Sequence, residues 1–392
     1  MKEGWEYKKL KEVGRTQTGT TPSKSIKSFY GGEIPFIRPA ELDIDGNGSI
    51  EYNSELKLTS EGALKSRTIK ANSTLMCCIG SVGKTGYTIK DVTCNQQINT
   101  ITPYDGYNGK FVYYALLTPS FQKEVIKIAN SAKATLAIIS KGKWEEMYIL
   151  VPPLSEQQRI VNYLDSAFAK IDAMKANAEK ALNETKALFQ ASLKEMLEPK
   201  EGAKWSTIGD LFETYSGGTP TKSNKEYYEG GTIPWLRSGE VCQKEITETE
   251  MFITEKGLKE SSAKYYPENT VVVAMYGATA AQVGILRIKS TSNQAVCGIL
   301  PHKDFLPEFV YYWFSSIEDK LAAQAQGGAQ PNISQQKIKK VEIPIYSVTE
   351  QQSIVAALDS LKSKVDRLQE NYDKISQECD ALKQAILRKV FE

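Results

Sequence analysis

The chain has a single histidine, His302, between Pro301 and Lys303, so neither a catalytic triad nor a metal cluster that needs several imidazoles can be assembled. The cysteines stand at 77, 78, 94, 242, 297 and 379 without a CxxC pair or a regular spacing. They read as reduced, space-filling thiols rather than as a disulfide framework or a zinc site. GSVGKTG, from Gly80 to Gly86, contains the Gly-Lys-Thr of a phosphate-binding loop. The full pattern, however, requires glycine five positions before Gly83, where Cys78 stands, and a helix afterwards, where Gly86-Tyr87-Thr88-Ile89 reads as a strand. A glycine hairpin that carries one long polar side chain towards a nucleic acid is the better reading. Val151-Pro152-Pro153-Leu154 lacks the polar residue that an amino-methylating motif places before its prolines, and no nuclease signature appears. Two arginines remain as candidates for chemistry of a binding kind. Arg38 and Arg237 each follow Ile-Pro-aromatic-aliphatic, and a guanidinium in such a place either reads guanine through paired hydrogen bonds or pairs with the glutamate three residues on, Glu41 or Glu240.

These residues need elements to hold them. With 392 residues, the chain is long enough for two or three domains, each with its own core. Its 41% hydrophobic and 24% charged residues are those of a soluble globular protein, and no apolar run approaches a membrane span. The first ten residues are charged and do not read as a secretory signal, so a cytoplasmic protein is expected. The net charge of +2 hides an uneven distribution: residues 1–150 lean basic, while 201–346 lean slightly acidic. A basic lean gives mild support for nucleic acid at the first segment and none at the third.

The chain is written twice. Trp5 with GTTPSKS (Gly19 to Ser25) is matched by Trp205 with GGTPTKS (Gly217 to Ser223), and IPFIRPAEL (Ile34 to Leu42) by IPWLRSGEV (Ile233 to Val241). Asn72 to Gly86 matches Asn269 to Gly284, with one residue inserted in the second loop. Each copy continues with an Asn-Gln pair (Asn95-Gln96, Asn293-Gln294), a Tyr-Tyr pair (Tyr113-Tyr114, Tyr311-Tyr312) and the string EQQxIVxxLD (Glu156 to Asp165, Glu350 to Asp359). A repeat of this length implies two copies of one domain. Alternating apolar runs punctuated by glycine, such as Thr74 to Ile79 and Val271 to Met275, make each copy β-rich with a few helices.

The segment after each copy is different in kind. From Ser155 to Leu197 there is almost no glycine or proline, and a stripe recurs on three- and four-residue steps: Val161, Leu164, Phe168, Ile171, Ala178, Leu182, Thr185, Phe189, Ser192 and Met196, with Lys175 the charged exception. The second series is Leu358, Leu361, Val365, Leu368, Tyr372, Ile375, Cys379, Leu382 and Ile386. Both are heptad stripes too narrow for a globular core, and they most simply pack on each other. The expected division is 1–150 and 201–346 for the domains, 151–200 and 347–392 for the helices. Domain-helix-domain-helix closes into a pseudo-twofold object only if the helices run antiparallel, with a domain at each end. The expected fold is therefore α+β, with two similar β-rich domains and an intramolecular coiled coil of two long antiparallel helices.

The paired G-T-P loops, the Ile-Pro-aromatic-aliphatic-Arg strings, the glycine hairpins followed by Asn-Gln and the EQQxIVxxLD strings resemble the specificity subunits of type I restriction-modification systems, over the whole chain. The resemblance implies two target recognition domains, each reading one half of a bipartite, asymmetric site in double-stranded DNA, with the helices setting the spacer. It implies no catalysis and no cofactor in this chain. Two methyltransferase subunits that carry S-adenosylmethionine would dock on the helices, and a motor-nuclease partner would use ATP and magnesium. By the same resemblance DNA contacts fall on Thr20, Ser23, Lys24, Arg38, Ser81, Lys84, Lys133 and Thr135 in the first copy. In the second they fall on Thr221, Lys222, Arg237, Thr279, Gln282, Gln330 and Asn332. Lysines would position the backbone, and Arg, Gln and Asn would read base edges. The competing reading is a coiled-coil scaffold whose two β-rich domains bind protein or carbohydrate.

Overall fold

The structure is a computed structural model that describes all residues except 1–3, 43–53, 55, 132–135, 200, 201 and 325–331. It divides into two compact units, Met1–Lys180 with Asn371–Glu392, and Ala181–Glu370.

In the first unit a four-stranded antiparallel sheet runs in the order Gly14–Thr18, Ile98–Pro103, Thr74–Cys77, Thr85–Tyr87. A second sheet runs Lys57–Leu58, Tyr30–Ile37, Val92–Cys94, Thr68–Ile69, with its two central strands parallel. The second unit repeats the plan. Thr214–Ser216, Val296–Ile299, Val271–Ala274, Val283–Leu286 and Glu245–Ile246 form one sheet, and Phe252–Ile253, Ile233–Leu236 and Thr291–Ser292 the other, where the last two strands are again a parallel pair. Asn72 and Asn269 open the matched segments at φ of 62° and 67°, a left-handed turn that asparagine tolerates because its short amide bonds locally. The strand expected after Gly86 is present as Thr85–Tyr87, paired antiparallel with Thr74–Met76. No helix follows the Gly-Lys-Thr, which removes the phosphate-loop reading.

Each head is tied off by a short antiparallel pair that joins its first strand to the residues leading into a long helix: Glu6–Lys9 with Tyr148–Val151, and Trp205–Thr207 with Glu342–Pro344. The helices are Leu154–Leu197 and Val348–Phe391, each of 44 residues and about 66 Å at 1.5 Å per residue. Within the first unit they run antiparallel. Lys175 Nζ donates to Asp380 Oδ1 at 3.1 Å, while Lys383 Nζ, three residues later on one helix, reaches Asp172 Oδ1, three earlier on the other, at 2.5 Å. Within the second unit Lys186 Nζ donates to Gln369 Oε1 at 2.6 Å.

The apolar stripe departs from the expected heptads at Leu368, 38% exposed in mid-helix, and again towards the ends. Met196 and Leu382 are 37% and 48% exposed, whereas Leu193, Leu197, Leu387 and Phe391 are buried, and Lys383 is 2% exposed in the place expected for Leu382. An α-helix drifts by about 20° per heptad against a 3.5-residue repeat. The drift moves the buried face by one residue, in four-residue steps such as 379, 383, 387 and 391. Phe391 thereby meets Trp5 and Phe111, with ring centroids 6.5 and 5.3 Å apart, inside the core of the first unit.

The repeated EQQxIVxxLD strings fasten head to helix. Gln157, 1% exposed, accepts from the Asn108 backbone N–H at 2.8 Å and donates to the Pro152 carbonyl at 2.9 Å. Gln351, fully buried, accepts from Leu306 N–H at 2.8 Å and donates to the carbonyls of Asp304 and Tyr346 at 2.8 and 3.0 Å. At the other end of the string, Asp165 accepts from the Tyr114 hydroxyl at 2.5 Å and from Lys110 at 2.8 Å. Asp359 accepts from Tyr312 and Lys244 in the same way. Burial, and then the adjoining carboxylate, push both tyrosine hydroxyls far above their ordinary range, so they remain donors at any working pH.

Replacing Gln351 by leucine leaves one buried N–H and two carbonyls without that partner. The expected loss is about 2–4 kcal/mol, read as a lower urea midpoint for the second unit by circular dichroism; an unchanged midpoint would contradict the clamp. Cys77, Cys78, Cys94, Cys297 and Cys379 are buried and Cys242 is exposed. Burial also pushes the thiols of Cys78, Cys94 and Cys297 up to about 12. A colorimetric thiol assay should therefore register one fast equivalent in the native chain and the others only on unfolding.

Candidate nucleic-acid interface

In each head three segments that carry candidate residues meet on one turn, the Asn-Gln pair. In the first head Asn95 N–H donates to the Ile37 carbonyl at 3.0 Å, directly before Arg38. Thr20 N–H donates to the Cys94 carbonyl at 2.9 Å, and Cys78 N–H to the Gln97 carbonyl at 2.7 Å. The G-T-P loop, the arginine turn and the glycine hairpin are thus bonded to the same four residues. In the second head Asn293 N–H donates to the Leu236 carbonyl at 2.9 Å, Gly218 N–H to the Ser292 carbonyl at 2.8 Å, and Met275 N–H to the Ala295 carbonyl at 2.8 Å. The approach is too close for a side chain: a Cβ on Gly19 would lie 2.1 Å from the Asn95 carbonyl oxygen, and one on Gly217 2.2 Å from that of Ser292.

Side chains repeat the pattern. Thr21 Oγ1–H donates to Gln96 Oε1, and Thr219 Oγ1–H to Gln294 Oε1. Tyr30 and Tyr228 donate their hydroxyls to the carbonyls of Pro22 and Pro220 at 2.7 and 2.6 Å, which fixes the proline of each loop. Beyond the proline, Ser23, Lys24, Thr221 and Lys222 are exposed.

The two arginines make the carboxylate pairing that their spacing allows. Arg38 Nη2 and Nε donate to Glu41 Oε1 at 2.7 and 3.1 Å, while the Glu41 Oε2 atom accepts from the Arg38 backbone N–H at 2.7 Å. Arg237 repeats the backbone contact to Glu240 at 2.9 Å and extends its guanidinium to Glu250 as well. Each arginine is therefore held by carboxylate at the end of its strand.

The hairpins differ more. Ser81 is exposed and Lys84 half-buried, on a turn whose Gly80 and Gly83 have φ of 79° and 96°. In the second head Thr279 and Gln282 are half-buried; Gln282 Oε1 is enclosed and lacks a hydrogen-bond partner, so that end of the side chain is turned inward. Asn332 is exposed and bridges Tyr276 at the hairpin, in the way that Ile138 bridges Ile79 in the first head. Lys133, Thr135 and Gln330 lie outside the described residues.

The site residues that sequence reasoning passed over are Gln96 and Gln294. They served as markers of the repeat, and the signal that could have singled them out is the threonine that recurs before the loop proline in both copies. Elsewhere, His302 sits in a loop against Phe212 and Phe305, accepting from Asp304 N–H at 3.2 Å. Among the described residues no group of His, Cys, Asp and Glu is arranged to hold a metal ion, and no helix is long and apolar enough to cross a membrane.

Known proteins share both the sequence and the architecture. The family model of the type I restriction modification DNA specificity domain matches residues 2–184 and again 200–377. A similar relative is the type I restriction enzyme EcoR124I/EcoR124II specificity subunit of Escherichia coli, 30% identical over 212 residues, a match that spans 53% of this chain and 52% of the relative. The MjaIX specificity subunit of Methanocaldococcus jannaschii is 25% identical over 91% of this chain and 85% of its own length. The EcoKI specificity subunit of Escherichia coli K12 is 24% identical over 100% and 89%. Among solved structures, a chain from work on assembly and conformational transition of the type I R-M system superimposes with a TM-score of 0.78 at 18% identity, covering 100% of this chain and 98% of that one. The HsdS subunit of Thermoanaerobacter tengcongensis gives 0.56 at 18% identity, over 100% and 97%. These two likenesses show the fold. With two matched domains that together take in nearly all of its length, the chain belongs to the type I restriction modification DNA specificity domain family, as a specificity subunit rather than a catalytic one.

Proposed function

We propose that this chain selects the DNA sequence on which a type I restriction-modification enzyme acts, each head reading one half of a bipartite, asymmetric site in double-stranded DNA. The observation that carries the reading is the duplicated turn, which collects a G-T-P loop, an arginine and a glycine hairpin in both heads. Lys24, Lys84, Lys133 and Lys222 would position the phosphate backbone, together with the hydroxyls of Thr20, Ser23, Ser81, Thr135, Thr221 and Thr279. Arg38, Arg237, Gln282, Gln330 and Asn332 would face base edges. For either arginine to bind guanine, its guanidinium must keep or exchange the carboxylate that holds it, so Glu41 and Glu240 belong to the same recognition unit.

On this reading the helix pair sets the spacer and docks two methyltransferase subunits, which carry S-adenosylmethionine, in the cytoplasm. A motor-nuclease partner with ATP and magnesium would add cleavage. The chain alone should transfer no methyl groups to DNA, and should confer methylation of one bipartite motif when combined with its methyltransferase partners. Methylation by the purified chain, or partner activity that ignores its presence, would refute this.

The antiparallel register makes the spacer testable. Residues 171–177 lie across from 378–384, since Asp172 meets Lys383 and Lys175 meets Asp380. Removing both heptads together keeps the seam in phase and shortens the pair by about 10 Å. The methylated motif, read by modification-sensitive sequencing, should keep its two half-sites and change the spacer between them. An unchanged spacer in an active complex would sink the ruler.

A further inference from the structure

Resting on that reading, we propose that Gln96 and Gln294 are DNA-positioning residues, each donating its side-chain amide N–H to a backbone phosphate of the half-site under its own head.

Three observations support it. Both glutamines are exposed, yet neither is loose: Thr21 and Thr219 donate to their Oε1 atoms. An amide held by its oxygen presents Nε2, which carries two donors and no acceptor, away from the protein. A phosphate oxygen offers only acceptors, so the displayed chemistry fits it.

The second observation is the company each amide keeps. In the first head the G-T-P loop continues into exposed Lys24, and Ser66 Oγ donates to the Thr20 carbonyl at 2.6 Å, which brings Arg67 alongside; Arg67 Nη1 donates to the Thr18 carbonyl at 2.6 Å. In the second head the loop continues into exposed Lys222, and Gly218 abuts Ser262 and Ala263, directly before Lys264. Lys264 Nζ lies 5.6 Å from the Tyr215 ring. The loop that holds each amide is thus accompanied in both heads by cations from two separate segments, a setting that favours an anion.

The third observation separates positioning from reading. Two heads that read different half-sites need the same grip on the backbone and different grips on the bases. The Thr-Gln pair is identical in the two heads, whereas the hairpin positions are not: Ile79 corresponds to Tyr276, and Lys84 to Gln282. Identity falls on the glutamine, where a sequence-independent contact is required. The base of the loop that holds each amide is also fixed, since the loop glycines leave no slack between Gly19 and Asn95 or between Gly217 and Ser292.

The test is DNA binding by the chain assembled with its methyltransferase partners, on cognate and non-cognate duplexes across a salt series. Gln96→Leu should weaken both duplexes by the same factor, about three- to tenfold for one hydrogen bond, and leave the methylated motif intact. The slope against salt should also stay unchanged, because a neutral amide displaces no counterion, whereas Lys24→Ala should flatten it by about one unit. Gln96→Glu keeps the oxygen that Thr21 bonds, so the loop stays folded, and should weaken binding by more than the leucine variant because it sets a carboxylate against phosphate. Gln294 should give the same pair of results. If the wild-type assembly binds no DNA selectively, the proposed function itself fails. If it binds and Gln96→Glu binds equally well, or if either variant changes the motif in one half, then this inference alone is overturned, the last case marking the glutamine as a base reader.

Discussion

What keeps a head from swivelling on its helix is, in each unit, one buried amide. Gln157 and Gln351 do this at neutral charge, since an amide both donates and accepts and can therefore bond a backbone N–H of the head and a carbonyl of the approach to the helix at once. Buried without water, each of those bonds is costly to break. The aspartate two turns on adds a second attachment to a tyrosine of the same head, and two separated attachments fix an angle where one would leave a pivot.

The same logic applies to the proposed reading surface. The Asn-Gln turn stands at the end of a buried strand pair, and its backbone groups are spent on holding three loops rather than on extending a sheet. Loops normally carry variation and motion. Tied to one turn by main-chain bonds and by glycines that admit no side chain, these become rigid at the base while their tips remain exposed, which suits a surface that must be precise in position and variable in content.

Much of this was legible in the sequence because it rests on local pattern. The repeat, the long helices and the hairpin of Thr74–Tyr87 follow from periodicity and glycine placement alone. The helix stripe failed at Leu368, Met196 and Leu382, because a straight helix drifts off a strict heptad and its buried face moves by a residue. The dual reading of Arg38 and Arg237 could not be resolved from spacing, since an i,i+3 glutamate permits a pair without requiring one; Glu41 makes it because its carboxylate also caps the following turn. The glutamine clamps and the Thr-Gln pairs were visible as letters but not as contacts. Thr21 and Gln96 are 75 positions apart, as are Thr219 and Gln294, and no periodicity reports a bond across that distance.

What the two heads keep and what they exchange distinguishes a requirement from a solution. Both keep the tyrosine-aspartate bond, and both supply the aspartate with a lysine, but from different places. Lys110 comes from the first turn of the helix that carries Tyr114, while Lys244 comes from the residue before the strand Glu245–Ile246 and lies 4.7 Å over the Tyr312 ring. The carboxylate needs a cation because it is only half exposed and already bonded to a neutral hydroxyl; it does not need that cation from any particular element. Contacts whose geometry is dictated on both sides, such as amide to backbone or threonine to glutamine, have persisted residue for residue, and those that need only a charge nearby have drifted. The hairpins have diverged too, Lys84 against Gln282, and there the head itself takes part, since the Gln282 side-chain oxygen is enclosed within it.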